Sequence, residues 1–289
     1  MVTPHLVKFA VKDISENGKT TGIIEACNTI GSIIGTFLPT FVTIPTVGTA
    51  LTFVIFASVL YIVCLIYFIY KKKHVVKTSI ITVIALVLGA LSTNIGVAFW
   101  KNNIVYEGES VYNYLRVEET NSSIILSTNV LFGVQSIKKK NGSLTGMYYD
   151  YALSAPLIAG GIDKPISICI LGLGTGTYSE QCLKYYNISE IDGVEIDGKI
   201  IDLAHEYFDL PELVNTHEAD GRAYIDGTKK KYDVIMVDAF RDITIPFQMS
   251  SIEFFTSVKN HLTENGVMVV NLNMKSNQEG NINDYLKGT

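Results

Sequence analysis

The chain has few of the residues that build metal centres or disulfide frameworks. Its 289 residues include four cysteines and five histidines, and neither set has the spacing of a zinc site. We interpret the cysteines as buried free thiols and expect no bound metal. The formal net charge of −5 gives no reason to expect a nucleic-acid partner. The cysteines are Cys27, Cys64, Cys169 and Cys182.

Charge is missing altogether from two long stretches, residues 48–70 and 78–100. Each is as long as the roughly 20 helical residues that cross the hydrocarbon core of a bilayer. Residues 22–45 are similar but contain one acid, Glu25. We therefore predict a membrane region over residues 1–101 with two or three transmembrane helices, which makes the chain a multi-pass protein in contact with the lipid bilayer.

A small β-rich module is predicted over residues 102–160. The segments 104–119 and 122–137 are rich in Tyr, Val, Ile and Leu and are separated by polar residues, as is typical of short strands. Asn141-Gly142 is a hairpin turn signal. Residues 147–161 then have a helical pattern that ends at a glycine pair.

Strand-like and helical segments alternate over residues 161–289. This alternation predicts an α/β domain with a Rossmann-like, doubly wound parallel sheet. Since little sequence follows the fifth strand, we expect the domain to be incomplete at its C-terminus. The predicted strands are residues 166–171, 191–195, 216–220, 232–238 and 266–273, and the clearest helices are residues 198–208 and 250–262.

A glycine loop follows the first strand of this domain, with glycines at Gly172, Gly174 and Gly176. The dinucleotide fingerprint G-x-G-x-x-G needs its third glycine one residue later, where this chain has Thr177. The shorter spacing suits a loop that passes beneath a nucleoside and its amino-acid tail. The loop therefore favours a sulfonium nucleoside of the S-adenosylmethionine type over NAD.

Acidic residues lie at the ends of the next three predicted strands. Ligands of such sheets bind at the carboxyl ends of the strands, so we expect these acids to surround one site. Glu195 is placed to accept both ribose hydroxyls, and Asp220, followed by Gly221, to accept the adenine amino group. Asp238 is expected at the cleft beside the reactive carbon.

Taken together, these segments resemble the spermidine synthases, specifically their membrane-fused branch. The resemblance covers roughly residues 104–275, and the glycine-rich apolar stretch 22–45 resembles the membrane part of that branch. The segments occur in family order and are specific only as a set: YEGESVYNYLRV, FGVQS, MYYDYALSAPL, LGLGTGT, GVEID, ADGRAY, YDVIMVDAF and IEFF. The implied fold is that of the S-adenosylmethionine-dependent methyltransferases.

The resemblance implies that an aminopropyl group moves from decarboxylated S-adenosylmethionine to a small amine or polyamine. By the family pattern Asp238 is the residue that removes the amine proton, and the substrate side would include Gln135, Tyr148 and Asp150. The acidic second half of the chain, with sixteen basic and twenty-five acidic residues, agrees with a cationic substrate, and a solvated surface explains the charge equally well. A homodimer is also expected.

The sequence departs from the family pattern at three positions. Thr175 replaces an aspartate of the glycine loop, Arg241 replaces a second strand-end acid, and Tyr149 replaces a histidine. Two alternatives therefore stay open. One is a methyltransferase that uses intact S-adenosylmethionine, and the other is a membrane-bound sensor that binds the nucleoside without turnover.

The orientation in the membrane rests on two opposed arguments. Lysines at positions 71–73 and 77 favour a cytoplasmic loop between the second and third apolar stretches, and three crossings would then place the later residues outside the cell. A nucleoside-dependent enzyme requires the cytosolic pool of its donor. We give the second argument more weight and expect a cytoplasmic catalytic domain.

Overall fold

A computed structural model describes residues 3–11, 17–72, 74–92, 96–129, 133–239 and 246–271. The chain divides into two compact units, residues 1–96 and 97–289. This division precedes the expected boundary at residue 101 because residues 97–100 form a turn that belongs to the second unit. The turn is held there by the Ala98 N–H, which donates to Oε1 of Glu107 at 2.9 Å.

The first unit is helical. The stretch Asn17–Tyr70 is long and apolar enough to cross a membrane, judged by length and composition. Its apolar side chains face outward, because α2 has no buried residue and α3 buries Thr52 alone among its described side chains. The helices are α1 Thr3–Ala10, α2 Asn17–Leu38, α3 Ile44–Tyr70 and α4 Val75–Ser92, and a π-helical turn, Pro39–Thr43, joins α2 to α3.

Three details of this unit differ from the sequence prediction. Gly48 has the non-helical angles φ 80° and ψ 169° and kinks α3 near its start. The third apolar stretch is helical over Val75–Ser92 rather than over residues 78–100. Helix α4 packs on α3, since a side chain at Gly89 would lie 3.4 Å from the methyl groups of Val54. Cys27 and Cys64, expected to be buried, are exposed on these helices.

The second unit begins with a four-stranded antiparallel sheet in the order β1-β2-β3-β4. Its inner face carries Leu115, Val117 and Leu126, which pack against Leu203 and Phe208 of the following domain. This shared core explains why the two sheets belong to one unit. The strands are β1 Ile104–Glu109, β2 Tyr114–Glu119, β3 Ser123–Ser127 and β4 Ser136–Lys139.

A five-stranded parallel sheet follows, in the order β7-β6-β5-β8-β9. The predicted Rossmann-like fold of the methyltransferase type is confirmed. The strand order reverses between β5 and β8, which is where ligands bind in such sheets. The strands are β5 Ile166–Leu171, β6 Ile188–Glu195, β7 Val214–Glu218, β8 Tyr232–Val237 and β9 Leu262–Val270. The helices are α5 Tyr148–Ala152, α6 Ser154–Ile158, α7 Thr177–Tyr185, α8 Gly198–Tyr207, α9 Gly221–Gly227 and α10 Ile252–Asn260.

Both faces of this sheet are covered by apolar side chains. Alternation along β5 sends Ile166, Ile168 and Ile170 to one core, and Cys169 and Leu171 to the other. Burial on both faces is the reason that the strands are continuous apolar runs in the sequence. Cys169 and Cys182 are buried free thiols, as predicted.

One buried charge ties three strands together. The side chain of Asp192 on β6 is fully buried and accepts hydrogen bonds from Lys230 Nζ at 2.7 Å and Tyr232 OH at 2.8 Å. His217 Nε2 lies 2.9 Å from its other oxygen. Burial acts to raise the pKa of Asp192, but these hydrogen bonds outweigh it and the pKa is lowered. The network holds β7 and the start of β8 against β6.

Candidate active site

The glycine loop brings the ends of β5 and β8 together. Gly172, Gly174 and Gly176 have φ of 99°, 56° and 83°, a region that side chains with a Cβ rarely adopt. A Cβ on Gly172 would collide with the backbone carbonyl of Asp238, and one on Gly176 would collide with Leu210. The loop therefore needs glycine both for its conformation and for its contacts.

Glu195 ends β6 and holds the glycine loop by hydrogen bonds to its backbone. Its Oε2 accepts from the Gly174 N–H at 2.9 Å, and its Oε1 accepts from the Asp197 N–H at 3.2 Å. The side chain is 9% exposed. Burial raises the pKa of Glu195, and the negative charge of Asp197 adds to this, while the backbone N–H groups oppose it. Glu195 is thus a carboxylate of fixed orientation at the loop.

Asp220 lies two residues beyond β7, which is shorter than predicted at this end. Its Oδ1 accepts from the Ala223 N–H at 2.9 Å and so caps the N-terminus of α9. The next residue, Gly221, lies against Met249, whose Cε would be 3.2 Å from a Cβ at this position. Asp220 therefore has one oxygen committed to the helix.

Asp238 follows β8 and is held by two side chains. Its Oδ2 accepts from the Tyr148 hydroxyl at 2.5 Å, and its Oδ1 accepts from Asn271 Nδ2 at 2.9 Å. Burial raises its pKa to about 6, with a further contribution from the charge of Glu195, although both hydrogen bonds act to lower it. Near neutral pH this group is an oriented carboxylate that can take up a proton.

These groups share one cavity of about 560 Å³. Within the second unit the structure brings together all three strand-end acids, Glu195, Asp220 and Asp238, as the sequence predicted for a single site. A cavity of this size is typical of small-molecule sites. The other predicted residues that line it are Gly172, Gly174, Gly221, Gln135 and Tyr148.

Two predicted residues lie elsewhere. Gly176 is the N-cap of α7 and is not part of the cavity lining. Asp150, expected on the substrate side, is also absent from the lining and holds the preceding turn. It accepts from the N–H groups of Thr145 and Gly146 at 3.1 and 2.6 Å and from Gln181 Nε2 at 3.1 Å. Its oxygens are occupied by these local contacts.

The three departures from the family pattern have different outcomes. Tyr149 is buried in the cavity wall, and its hydroxyl donates to the Gln135 carbonyl at 2.7 Å. Thr175 is buried outside the cavity lining, and its Oγ1 has no hydrogen-bond partner within the part of the chain that the structure describes. Arg241, together with the neighbouring Asp242, lies outside the described residues.

Several site residues were missed in the sequence. Asn271 follows β9 at the same sheet edge as the three acids, so the rule that placed those acids would also have identified it. The cavity-lining residues Tyr112 and Asn113 come from the β1–β2 turn, and no local pattern marks a turn that reaches a distant sheet. Across the described ranges, no group of three or more His, Cys, Asp or Glu residues could hold a metal ion.

The fold and the site define a class: an α/β domain of the methyltransferase type with three acidic residues around one cavity at the carboxyl edge of its parallel sheet. Residues 152–287 match the model of the spermine/spermidine synthase domain. Over these 136 of its 289 residues the chain resembles the spermidine synthase family, as the sequence predicted.

Individual relatives agree with this resemblance. A Bifidobacterium longum protein named "Probable polyamine aminopropyl transferase" is 54% identical over 225 residues, which are 78% of this chain and 50% of that protein. A Vibrio vulnificus "Polyamine aminopropyltransferase" is 33% identical over 180 residues, 59% of this chain and 60% of that protein. The chain thus spans between half and two thirds of the length of these relatives.

A solved structure supports the fold. The crystal structure of a probable spermidine synthase from Corynebacterium glutamicum has a TM-score of 0.51 at 24% identity, covering 57% of this chain and 62% of that one. The Bifidobacterium match is longer than the second unit, residues 97–289. It therefore extends into the helical first unit.

Proposed function

We propose that this chain transfers an aminopropyl group from decarboxylated S-adenosylmethionine to an amine acceptor, a reaction of polyamine biosynthesis. The observation that carries the proposal is the carboxylate of Asp238, which lies in the same cavity as Glu195 and is held by Tyr148 and Asn271. The family resemblance and the names of the relatives support the same chemistry.

The donor nucleoside fits between the glycine loop and the strand-end acids. Glu195 faces the cavity with its orientation already set by the loop, so its oxygens are placed to accept the ribose hydroxyls. Asp220 keeps Oδ2 for the adenine amino group while Oδ1 caps α9. Gly172 and Gly174 line the floor, where the absence of a Cβ lets the ligand approach the backbone.

The reaction is a displacement at the carbon next to the sulfonium. An ammonium has no lone pair, so the acceptor must first lose a proton, and Asp238 accepts it. The amine nitrogen then forms a bond to the methylene carbon. The carbon–sulfur bond breaks, and its electron pair stays on sulfur, which leaves as a neutral thioether. Tyr148 and Asn271 hold Asp238 in place during the transfer, and Tyr148 with Gln135 forms the acceptor side of the cavity.

Donor binding and product analysis test the proposal. The full chain in detergent is titrated with decarboxylated and with intact S-adenosylmethionine, and is then incubated with each donor and a panel of mono-, di- and triamines. We expect binding of the decarboxylated donor and an aminopropylated product. Binding of the intact donor alone, with a methylated product, would instead identify a methyltransferase. Binding of a donor without any product would identify a sensor.

Residues 1–96 are proposed to anchor the enzyme to a bilayer as a multi-pass region, with the second unit in the cytoplasm. Support comes from the outward-facing apolar residues of α2 and α3, which are costly to expose to water. The kink at Gly48 separates two stretches of spanning length. A reporter fused after residue 72 shows on which side of the membrane α4 begins. A reporter fused at the C-terminus shows the side of the second unit, which we expect to be the cytoplasm. Release of the full chain from membranes by carbonate would contradict the anchor. The expected homodimer stays a prediction.

A further inference from the structure

One hydroxyl group organises the turn between β1 and β2. The Oγ of Ser110 accepts from the N–H groups of Tyr112 at 3.1 Å and Asn113 at 2.9 Å. The Ser110 N–H donates to the Asn113 carbonyl at 2.8 Å and closes the turn. A serine hydroxyl has two lone pairs and one proton. The two backbone N–H groups occupy the lone pairs, which leaves the proton to donate. The Asn113 carbonyl lies 3.3 Å away within the turn, and a closer acceptor lies outside it.

That acceptor is Asp197, just beyond the end of β6. Its Oδ2 accepts from Ser110 Oγ at 2.6 Å and from Asn113 Nδ2 at 3.0 Å. Its Oδ1 accepts from the Lys199 N–H at 3.1 Å and caps α8. Asp197 is 2% exposed, and a buried carboxylate requires such partners. The carboxylate therefore joins the antiparallel sheet to the binding edge of the parallel sheet.

The tip of the turn carries two side chains that are largely uncovered. Val111 is 72% exposed and Tyr112 is 56% exposed, yet both line the cavity. Covering apolar and aromatic side chains at a cavity with a ligand is favourable, because it removes their surface from water. The turn is held by Asp197. Asp197 lies two residues after Glu195 and donates its N–H to the Glu195 carboxylate. Val111 and Tyr112 are thus placed at the ribose end of the site.

We propose that Asp197 is a positioning residue that fixes the 110–113 turn so that Val111 and Tyr112 cover the nucleoside of the donor. This inference rests on the proposed function, because it assumes that the nucleoside binds at Glu195. Asp197 acts through the turn and does not contact the ligand. The effect on the reaction is therefore on donor affinity rather than on the chemical step.

The double variant Ser110→Ala/Asn113→Ala tests this role, since it removes both donors of the turn and leaves the Asp197 cap on α8 intact. Calorimetric titration of the full chain in detergent with 5′-methylthioadenosine, the thioether product, measures nucleoside affinity. We expect Kd to rise at least about tenfold, as for the loss of two hydrogen bonds to a charged group. The turnover number at saturating donor should change less than about twofold in the single variant Ser110→Ala, because Ser110 is not part of the cavity lining. Ser110→Thr keeps the hydroxyl and should bind like the wild type.

A double-mutant cycle separates positioning from general damage. In a Val111→Ala/Tyr112→Ala background, the turn substitutions should cause no further loss of affinity. Independent losses that multiply in the quadruple variant would overturn the proposal, as would an unchanged Kd in Ser110→Ala/Asn113→Ala. In both cases nucleoside binding by the wild type would leave the proposed function standing. A wild type that binds no nucleoside would remove both proposals.

Discussion

The hydroxyl of Tyr148 and the carboxylate of Asp238 are joined by a hydrogen bond of 2.5 Å although they are 90 residues apart in the chain. Tyr148 opens α5, which precedes the parallel sheet, and Asp238 follows β8 at the sheet edge. Burial and the charge of Asp238 raise the pKa of Tyr148 well above its usual value. The Tyr148 hydroxyl therefore stays protonated and donates the hydrogen bond, and Asp238 is the proton acceptor of the pair.

Replacing Asp238 by asparagine removes the proposed base with little change in shape. We expect Asp238→Asn to lower the rate of transfer by at least about a hundredfold, as for the loss of general base catalysis. Donor affinity should change less than about threefold, since Glu195 and the glycine loop are untouched. Single-turnover assays and donor titration measure the two quantities. Asp202→Asn, on an exposed part of α8, is the matched control. Turnover near the wild-type rate would show that Asp238 is not the base.

The same substitution lowers activity but should stabilise the folded chain at pH 8, where Asp238 is charged. The pKa of Asp238 is about 6, above its usual 3.8, so the folded chain binds this proton more tightly than the unfolded chain does. That stabilising contribution is complete below pH about 4 and is lost as the pH rises through about 6. We expect Asp238→Asn to unfold at least about 2 °C above the wild type at pH 8, with the difference shrinking at pH 4.5. Thermal scans that show a constant difference would contradict the raised pKa.

Tyr148→Phe should move the acid limb of the rate profile. The hydrogen bond from Tyr148 lowers the pKa of Asp238, so its loss should raise that pKa and shift the limb from about pH 6 to higher pH. The pH dependence of kcat/KM measures this directly. Tyr151→Phe is the control, because Tyr151 lies on the same helix and its side chain is exposed. Equal shifts in the two variants would argue against the assigned contact.

Gly172→Ala should damage the site from within the loop. Gly172 has φ of 99°, and an added Cβ would meet the Asp238 carbonyl, so the ends of β5 and β8 would have to separate. We expect a loss of about 2 kcal/mol or more in unfolding free energy and loss of donor binding. Gly227→Ala is the control, since nothing lies within 4 Å of a Cβ there. Denaturant titrations compare the two variants, and similar midpoints would show that the loop tolerates a side chain.

The parallel sheet could be predicted from the sequence because burial on both faces makes each strand a continuous apolar run. Strand ends were less well predicted. Residues 219–220 were included in β7, although Asp220 leaves the strand to cap α9. Helix α4 ends at Ser92, whereas apolar composition alone extended the prediction to residue 100.

For the site, the sequence was sufficient where one rule applied to every strand. Glu195, Asp220 and Asp238 follow successive strands and line the same cavity. Asp150 was placed by family pattern, and its oxygens are instead occupied by Thr145, Gly146 and Gln181. The contact of Ser110 with Asp197 spans 87 residues. No local pattern encodes a tertiary hydrogen bond of that range.

The hydrogen bonds from the Gly174 and Asp197 N–H groups to Glu195 have a consequence for ligand capture. A glutamate side chain that is free to rotate loses rotamer entropy when it binds a ligand. Here that loss has already occurred during folding, so the nucleoside of the proposed function would not have to immobilise the Glu195 side chain when it binds.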